Sequence, residues 1–195
     1  MGHEVHVVPL KGKPDLLEEF QAQGCLVHTE LLAIKPLLQI FALQEIVKRG
    51  SVDVIHAHLP RAELLASVIT TNSKRVVSKH NTEPFFPTGN QIISKFLSKF
   101  VNYRVDAIIA ISSAVKQFLV ESGELSNLRK LHVVLYGMEK IQQPNPEMII
   151  NLKKQLKISE DVRVFGTISR LAPQKDLKTQ LLAFKKFLTV NELAK

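Results

Sequence analysis

The chain has a single cysteine, Cys25, among 195 residues, so it cannot close an internal disulfide. A lone thiol fits a reducing compartment, and the cytoplasm is the expected location. Tryptophan is absent and tyrosine occurs twice. No apolar run approaches the ~20 residues that a membrane span needs. The opening "MGHEVHVVPL" lacks the basic and long apolar regions of a signal peptide, and His6 stands where a myristoylation start requires Ser or Thr. The eight glycines never take the G-x-G-x-x-G or Walker A spacing, which argues against a simple dehydrogenase or a P-loop enzyme. There is no G-x-S-x-G elbow. There is no D-x-D pair either, which argues against a donor held through a metal. No repeat or low-complexity tract is present.

What is present is a globular composition, 45% apolar, with a net charge of +8. That charge favours anionic partners. It concentrates between Lys74 and Lys116, where seven Lys or Arg face two acids, Glu83 and Asp106. Nucleic-acid readers usually add exposed aromatics or a recognisable motif; neither accompanies this charge, so no nucleic-acid partner is expected.

Short β-branched runs alternate with amphipathic stretches. Strands are expected at Glu4–Leu10, Leu26–Leu31, Val52–His58, Arg75–His80, Asp106–Ser112, Lys130–Tyr136 and Val162–Ser169. Helices are expected at Asp15–Ala22, Pro36–Lys48, Arg61–Thr70, Gln91–Tyr103, Ser113–Glu121, Glu147–Leu156 and Leu177–Leu188. The alternation specifies an α/β fold: a doubly wound, Rossmann-like parallel sheet covered on both faces. Two prolines in "QQPNPE" (Gln142–Glu147) mark the linker. The expected domains are 1–141 and 142–195, the second being only the start of another Rossmann-like unit.

Ligands in such sheets bind beyond the carboxyl ends of strands. In "GTISRLAPQKDLKTQLLAF", Arg170 and Lys175 follow an expected strand whose Gly166 permits close backbone approach, and Asp176 is a plausible N-cap for the next helix. An anion there would meet two cations and a positive helix end, enough for a diphosphate without metal. The alternative is two solvated surface charges. His80 ends a strand beside Asn81 and Thr82; it reads first as a loop histidine bonded to backbone, with a ligand contact as the alternative. His56 and His58 share a strand face; such a pair can hold zinc or iron, as in β/α-barrel hydrolases. That rival needs further ligands. His80 could supply one, but His132 sits mid-strand and no Asp closes a later strand. A structural role for His56, and a rim position for His58 and Arg61, is the stronger reading. Ser112 and Ser113 read first as a helix cap, with phosphate or acceptor binding as the alternative. "IISKFLSKFVNYR" (Ile92–Arg104) is a basic amphipathic helix. The reading preferred here packs its stripe of Ile92, Ile93, Phe96, Leu97, Phe100 and Val101 on the sheet; the other lays it on a membrane surface.

"VFGTISRLAPQKD" resembles the G-x-x-x-R-L-x-x-x-K-(G/D) segment that opens the second domain of GT-B glycosyltransferases of family 4. "GHEVHVV", "VDVIHAHLPRA", "VVSKHN", "DAIIAISSAVKQFLVESG" and "KLHVVLYGME" resemble that family's successive segments, in order and over nearly the whole chain. Tyr136 departs from the pattern by standing where Asn is usual. The resemblance implies a GT-B N-terminal domain and transfer of a sugar from a nucleotide-diphosphate donor to an acceptor hydroxyl, with retention. Arg170 and Lys175 would bind the donor diphosphate, and His80 would sit beside donor sugar and acceptor. Gly166, Ser112, Asn81 and Arg61 would be lesser donor- or acceptor-side contacts. No cofactor or metal is implied beyond the nucleotide-sugar substrate. A lipid-linked or polysaccharide acceptor is implied, and with it peripheral contact at the inner membrane face. The family places one more strand, at the centre of its sheet, before "GHEVHVV", and an E-(x)7-E segment after Lys195. The resemblance therefore implies a truncated and inactive chain, with a gap near 10 Å between the strands flanking the absent one. The different-class alternative is a non-catalytic fragment that binds anions or a partner.

Overall fold

Six of the seven short β-branched runs become strands, and the amphipathic stretches become helices. The computed structural model describes residues 2–125, 127–138, 140 and 143–191. It divides into two compact units, Met1–Gly137 and Met138–Lys195. The linker placed at Gln142 begins on a residue outside the described ones.

In the first unit, β1 (His6–Val7) pairs in parallel with β2 (Leu26–Val27), and α1 (Leu17–Ala22) joins them. A second, four-stranded parallel sheet has the order β3 (Val54–His58), β4 (Lys74–Lys79), β5 (Ala107–Ala110), β6 (Leu131–Val133). Its crossovers are α3 (Pro60–Val68), α4 (Gln91–Arg104) and α5 (Ser113–Glu121), and α2 (Gln39–Arg49) links the two sheets. Asn90 caps α4 by accepting from the amides of Ile92 and Ile93. Ser112 caps α5 through its Oγ and the Val115 amide. Both are short polar side chains that satisfy donors the helix leaves orphaned.

The two sheets lie side by side. His6, Val8 and Leu10 share a cleft with Val54–Ala57. They also run the same way. His6 sits against Gly50 and Val52 ahead of β3. The Leu10 carbonyl is tied through Gln39 to Arg61, just past the end of β3. Chain order therefore steps outward to β2 on one side of the cleft and outward to β6 on the other, which is double winding.

Steps from β3 to β6 all go in one direction. Right-handed crossovers then put α3, α4 and α5 on one face. On that face Ala57, Val77 and Ile108 are buried with Ala66, Val101, Val105, Val115 and Leu119. On the other, Val54, His56, His58 and His132 are exposed. The expectation of strands covered on both faces fails here for that reason. A second cluster, Leu31, Leu43, Val47 and Ile69, packs under β1 with Val8 and Leu10.

Two expectations need correction. Only the carboxyl part of the α4 stripe faces the core: Val101 is buried and Leu97 packs beside it, but Ile92 is 81% exposed and Phe96 70%, and Ser94, Ser98 and Asn102 are buried in their place. Size decided over hydropathy, because small residues let the helix approach closely. Most of the buried polar groups on this face are also matched, Asn102 Oδ1 being the exception. Ser94 Oγ accepts from the Phe86 amide at 2.7 Å, Ser98 Oγ donates to Glu124 at 2.5 Å, and the Asn102 amide donates to the Glu124 carbonyl at 3.0 Å. The strand expected at Val162–Ser169 is only an isolated bridge at Arg163. Val164, Phe165 and Ile168 are exposed, since among the described residues the run has no neighbouring strand to pair with. Beside Gly166 the space is open: a Cβ there would find nothing within 4 Å. The second unit otherwise contains α6 (Pro146–Gln155) and α7 (Leu177–Leu188), which starts at Asp176 as expected, its carboxylate accepting from the Thr179 amide. Leu181 and Leu182 are exposed, while Phe184 and Phe187 gather around Phe165.

Candidate functional site

Three strands of the first unit deliver side chains to one place at their carboxyl ends. β3 ends at His58, which registers beside Ser78 of β4. His80 follows β4, and Tyr136 follows β6. His58 Nδ1 lies 2.9 Å from His80 Nε2, and the other His80 nitrogen, Nδ1, bonds the Tyr136 hydroxyl. His56 bonds Ser78 Oγ at 2.8 Å through Nε2, and its ring centroid is 4.3 Å from that of His58.

The shared hydrogen bond between His58 and His80 carries one proton. If His80 Nε2 holds it, His80 Nδ1 accepts from tyrosine; if His58 Nδ1 holds it, His80 Nδ1 donates to tyrosine. The array can therefore pass hydrogen-bond polarity in either direction. Burial, then the neighbouring His58, holds the His80 pKa below its usual 6.5. His56 is lowered likewise, by burial first and then by His58 and His80. His80 is thus a neutral imidazole at neutral pH, suited to orienting and polarising a hydroxyl.

The backbone at this rim is strained. Leu59, between His58 and the start of α3, has φ 73° and ψ 154°, a region that favours glycine. The turn swings α3 away so that Pro60 can open it, and the cleft beside His80 is lined by Leu59, Pro60, Glu63, Lys79, Asn81 and Glu83. At its base Lys79 pairs with Glu63, both nearly buried, at 8% and 2% exposed. The Lys79 ammonium also sits 4.9 Å from the Phe85 ring centroid. Burial raises the Glu63 pKa, with Lys79 opposing and Glu124 adding to the rise.

The other expected residues fall as follows. Asn81 donates to Glu83 at 2.9 Å on the same rim. Arg61 donates to the Gln39 side chain at 2.7 Å, a structural tie. Ser112 is the α5 cap, and Ser113 is the first residue of that helix. In the second unit Arg170 and Lys175 are exposed, neither joins an ion pair among the described residues, and a 3₁₀ turn over Pro173–Lys175 leads to Asp176. A cleft there is lined by Gly166, Thr167, Ser169, Leu171, Leu177 and Gln180. Among the described residues, no group of three or more His, Cys, Asp or Glu is placed to hold a metal ion.

Sequence reasoning missed Glu63, Lys79, Glu124 and the role of Tyr136. Lys79 carried a legible signal, since it alternates with buried Val77 on β4 and so points inward. Glu63 lies three and four residues before the buried Ala66 and Ser67 on one helix face. Tyr136 had none, because 56 residues separate it from His80.

A parallel α/β sheet with hydrogen-bonding side chains gathered at its carboxyl edge defines a Rossmann-like fold. The family model described as Glycosyltransferase Family 4 matches residues 1–139, and the chain belongs to that family. The fold matches solved structures of HepE from Anabaena. The complex with UDP-glucose gives TM-score 0.74 at 17% identity, covering 93% of this chain and 49% of that one. The complex with UDP gives 0.69 at 18%, covering 93% and 50%. The complex with UDP and glucose gives 0.74 at 15%, covering 97% and 51%. This chain spans about half the length of those it matches. No curated protein matches it.

Proposed function

We propose that the chain serves transfer of a sugar from a nucleoside-diphosphate donor to an acceptor hydroxyl. The observation that carries this reading is family membership over residues 1–139. The UDP and UDP-glucose bound to the matched structures support the donor class. In this reading Arg170 and Lys175 stabilise the charge growing on the leaving diphosphate. His80, set by His58 and Tyr136, orients a reacting hydroxyl. Transfer proceeds with retention and without a metal, as the resemblance implies and as the lack of a D-x-D pair supports. The donor is the substrate, and no further cofactor is required. Gly166 borders the donor; Asn81, Ser112 and Arg61 lie on the sugar or acceptor side. The matched chains are about twice as long, so these 195 residues alone would bind donor weakly and turn over little.

Isothermal titration with UDP tests this. Weak binding should weaken about tenfold or more in Arg170→Ala, the loss of one charge-assisted contact. No binding by the unaltered chain would refute the donor assignment and favour a non-catalytic role. Equal binding by the variant would refute the assignment of Arg170.

The acceptor in this reading is carried at a lipid or polysaccharide surface. The exposed Ile92, Ile93 and Phe96, interleaved with Lys95 and Lys99, support contact with an anionic membrane face. Co-sedimentation with phosphatidylglycerol vesicles should fall in Ile92→Ser/Phe96→Ser; unchanged binding would rule out this helix.

A further inference from the structure

The cleft beside His80 continues inward as a cavity of about 120 Å³, walled by α3, the end of β4 and the turn after α5. Its deep charges do not balance. Two carboxylates, Glu63 and Glu124, line it with one ammonium, Lys79. His80, on the rim, is a neutral imidazole at neutral pH and does not offset them. The chain as a whole carries a net charge of +8, so a surplus of carboxylate here runs against the surroundings.

Both acids are held by the fold, and each keeps one oxygen uncommitted. Glu63 is 2% exposed and Glu124 5%. Glu63 Oε2 accepts from the Lys79 ammonium, and Glu124 Oε2 accepts from Ser98 Oγ at 2.5 Å. The Oε1 atom of each has no hydrogen-bond partner in another described residue. A nearly buried acceptor without a donor is costly to keep. Glu124 also stands close enough to Glu63 to add to the rise in its pKa, so the two carboxylates address one space. A cation bound there would oppose that rise, as Lys79 does. Phe85 lines the same cavity and already turns its ring to the Lys79 ammonium at 4.9 Å, a surface that favours positive charge.

We propose that this cavity receives the protonated amine of an aminosugar acceptor. The inference rests on the transfer reading above and narrows its acceptor. The amine enters the cavity, and the sugar ring stays at the rim with His80 and Asn81. An ammonium brings several donors for the two free oxygens and the charge that one lysine leaves unmatched. A hydroxyl in its place donates once and brings no charge. An acetylated amine turns a carbonyl oxygen toward two carboxylates. The pocket therefore selects the free amine over both, because a poor match leaves its nearly buried acceptors unpaired.

The probes are glucosamine, glucose and N-acetylglucosamine, titrated into the intact chain at about pH 6.5, where a sugar amine is charged. Binding is read from the amide resonances of Lys79, Asn81 and Glu124. Glucosamine should shift all three and bind about tenfold or more tighter than either other sugar. Glu124→Gln keeps an acceptor for Ser98 and removes the charge; it should cost glucosamine about tenfold in affinity at an unchanged melting temperature. Absence of glucosamine binding, equal binding of the three sugars, or undiminished binding by the folded variant would overturn the proposal. Should the variant fail to fold, the comparison of sugars on the unaltered chain decides alone. Titration with UDP separates the two readings. UDP binding without glucosamine binding sinks this inference and leaves sugar transfer standing; glucosamine binding without UDP binding sinks the acceptor role together with the transfer reading.

Discussion

Lysine 79 is the residue whose loss should be felt most. Its ammonium meets the Glu63 carboxylate inside the first unit, where Glu63 is 2% exposed and Glu124 is 5% exposed. Lys79→Met keeps the length of the side chain and removes the charge. Glu63 is then a buried acid with a second acid nearby and no cation. Breaking such a pair from one side costs about 3–5 kcal/mol, a large part of the ~5–15 kcal/mol that holds a domain together. The cost depends on pH. Burial already raises the Glu63 pKa above its usual 4.5, and Lys79 is what opposes the rise. Without Lys79 the folded state keeps a proton that the unfolded state gives up. Stability is then fullest below pH 4.5 and falls as pH rises, by about 1.4 kcal/mol per unit, until Glu63 ionises in the folded protein. Urea denaturation at pH 5 and pH 7.5 should show the variant losing up to about 3 kcal/mol more than the parent across that interval. Replacing both partners, Glu63→Leu/Lys79→Met, should abolish the extra slope and return stability to within about 1.5 kcal/mol of the parent. A single variant that loses under about 1 kcal/mol, or the same amount at both pH values, would show that the pair is solvated and refute the reasoning.

Histidine 80 should act in the opposite sense. Its folded pKa lies below 6.5, so the unfolded chain takes up protons first, and its contribution is whole above pH 6.5 and lost as pH falls through the lowered value. The fall in urea midpoint between pH 7.5 and 5.5 should therefore be shallower in His80→Asn; an identical fall would refute the lowered pKa. Leu59→Gly should stabilise the chain by about 1 kcal/mol, because it releases positive-φ strain that exceeds the entropy glycine costs. A destabilised variant in the same denaturation assay would show that Leu59 packing outweighs its backbone.

Much of the architecture was legible because local signals agreed with the tertiary ones. α5 falls on Ser113–Glu121 as expected, since a cap and an apolar stripe mark the same residues. Strand periodicity put His56 and His58 on one face, and register with β4 brought His80 to them. The failures share a cause: the pattern was right and the partner was elsewhere. The apolar run at Val162–Ser169 reads as a strand but has no neighbouring strand among the described residues. The stripe of α4 reads as a core face, yet its serines and Asn102 fit the close approach and find Phe86 and Glu124 waiting. Arg61 reads as a rim cation, and its hydrogen bond to Gln39 had no local signal. Tyr136 could not be found by any local rule, because its importance lies only in a ring far away in sequence.

Gln39 has a consequence out of proportion to its size. Its amide nitrogen reaches the carbonyls of Leu10 and Leu31, and its oxygen takes the Arg61 guanidinium. One side chain thus acts as a clasp between two ribbons that share no backbone ladder. Unfastened, it would let β1 and β2 slide past β3 as a pair, and the alignment of every residue along that seam would go with them.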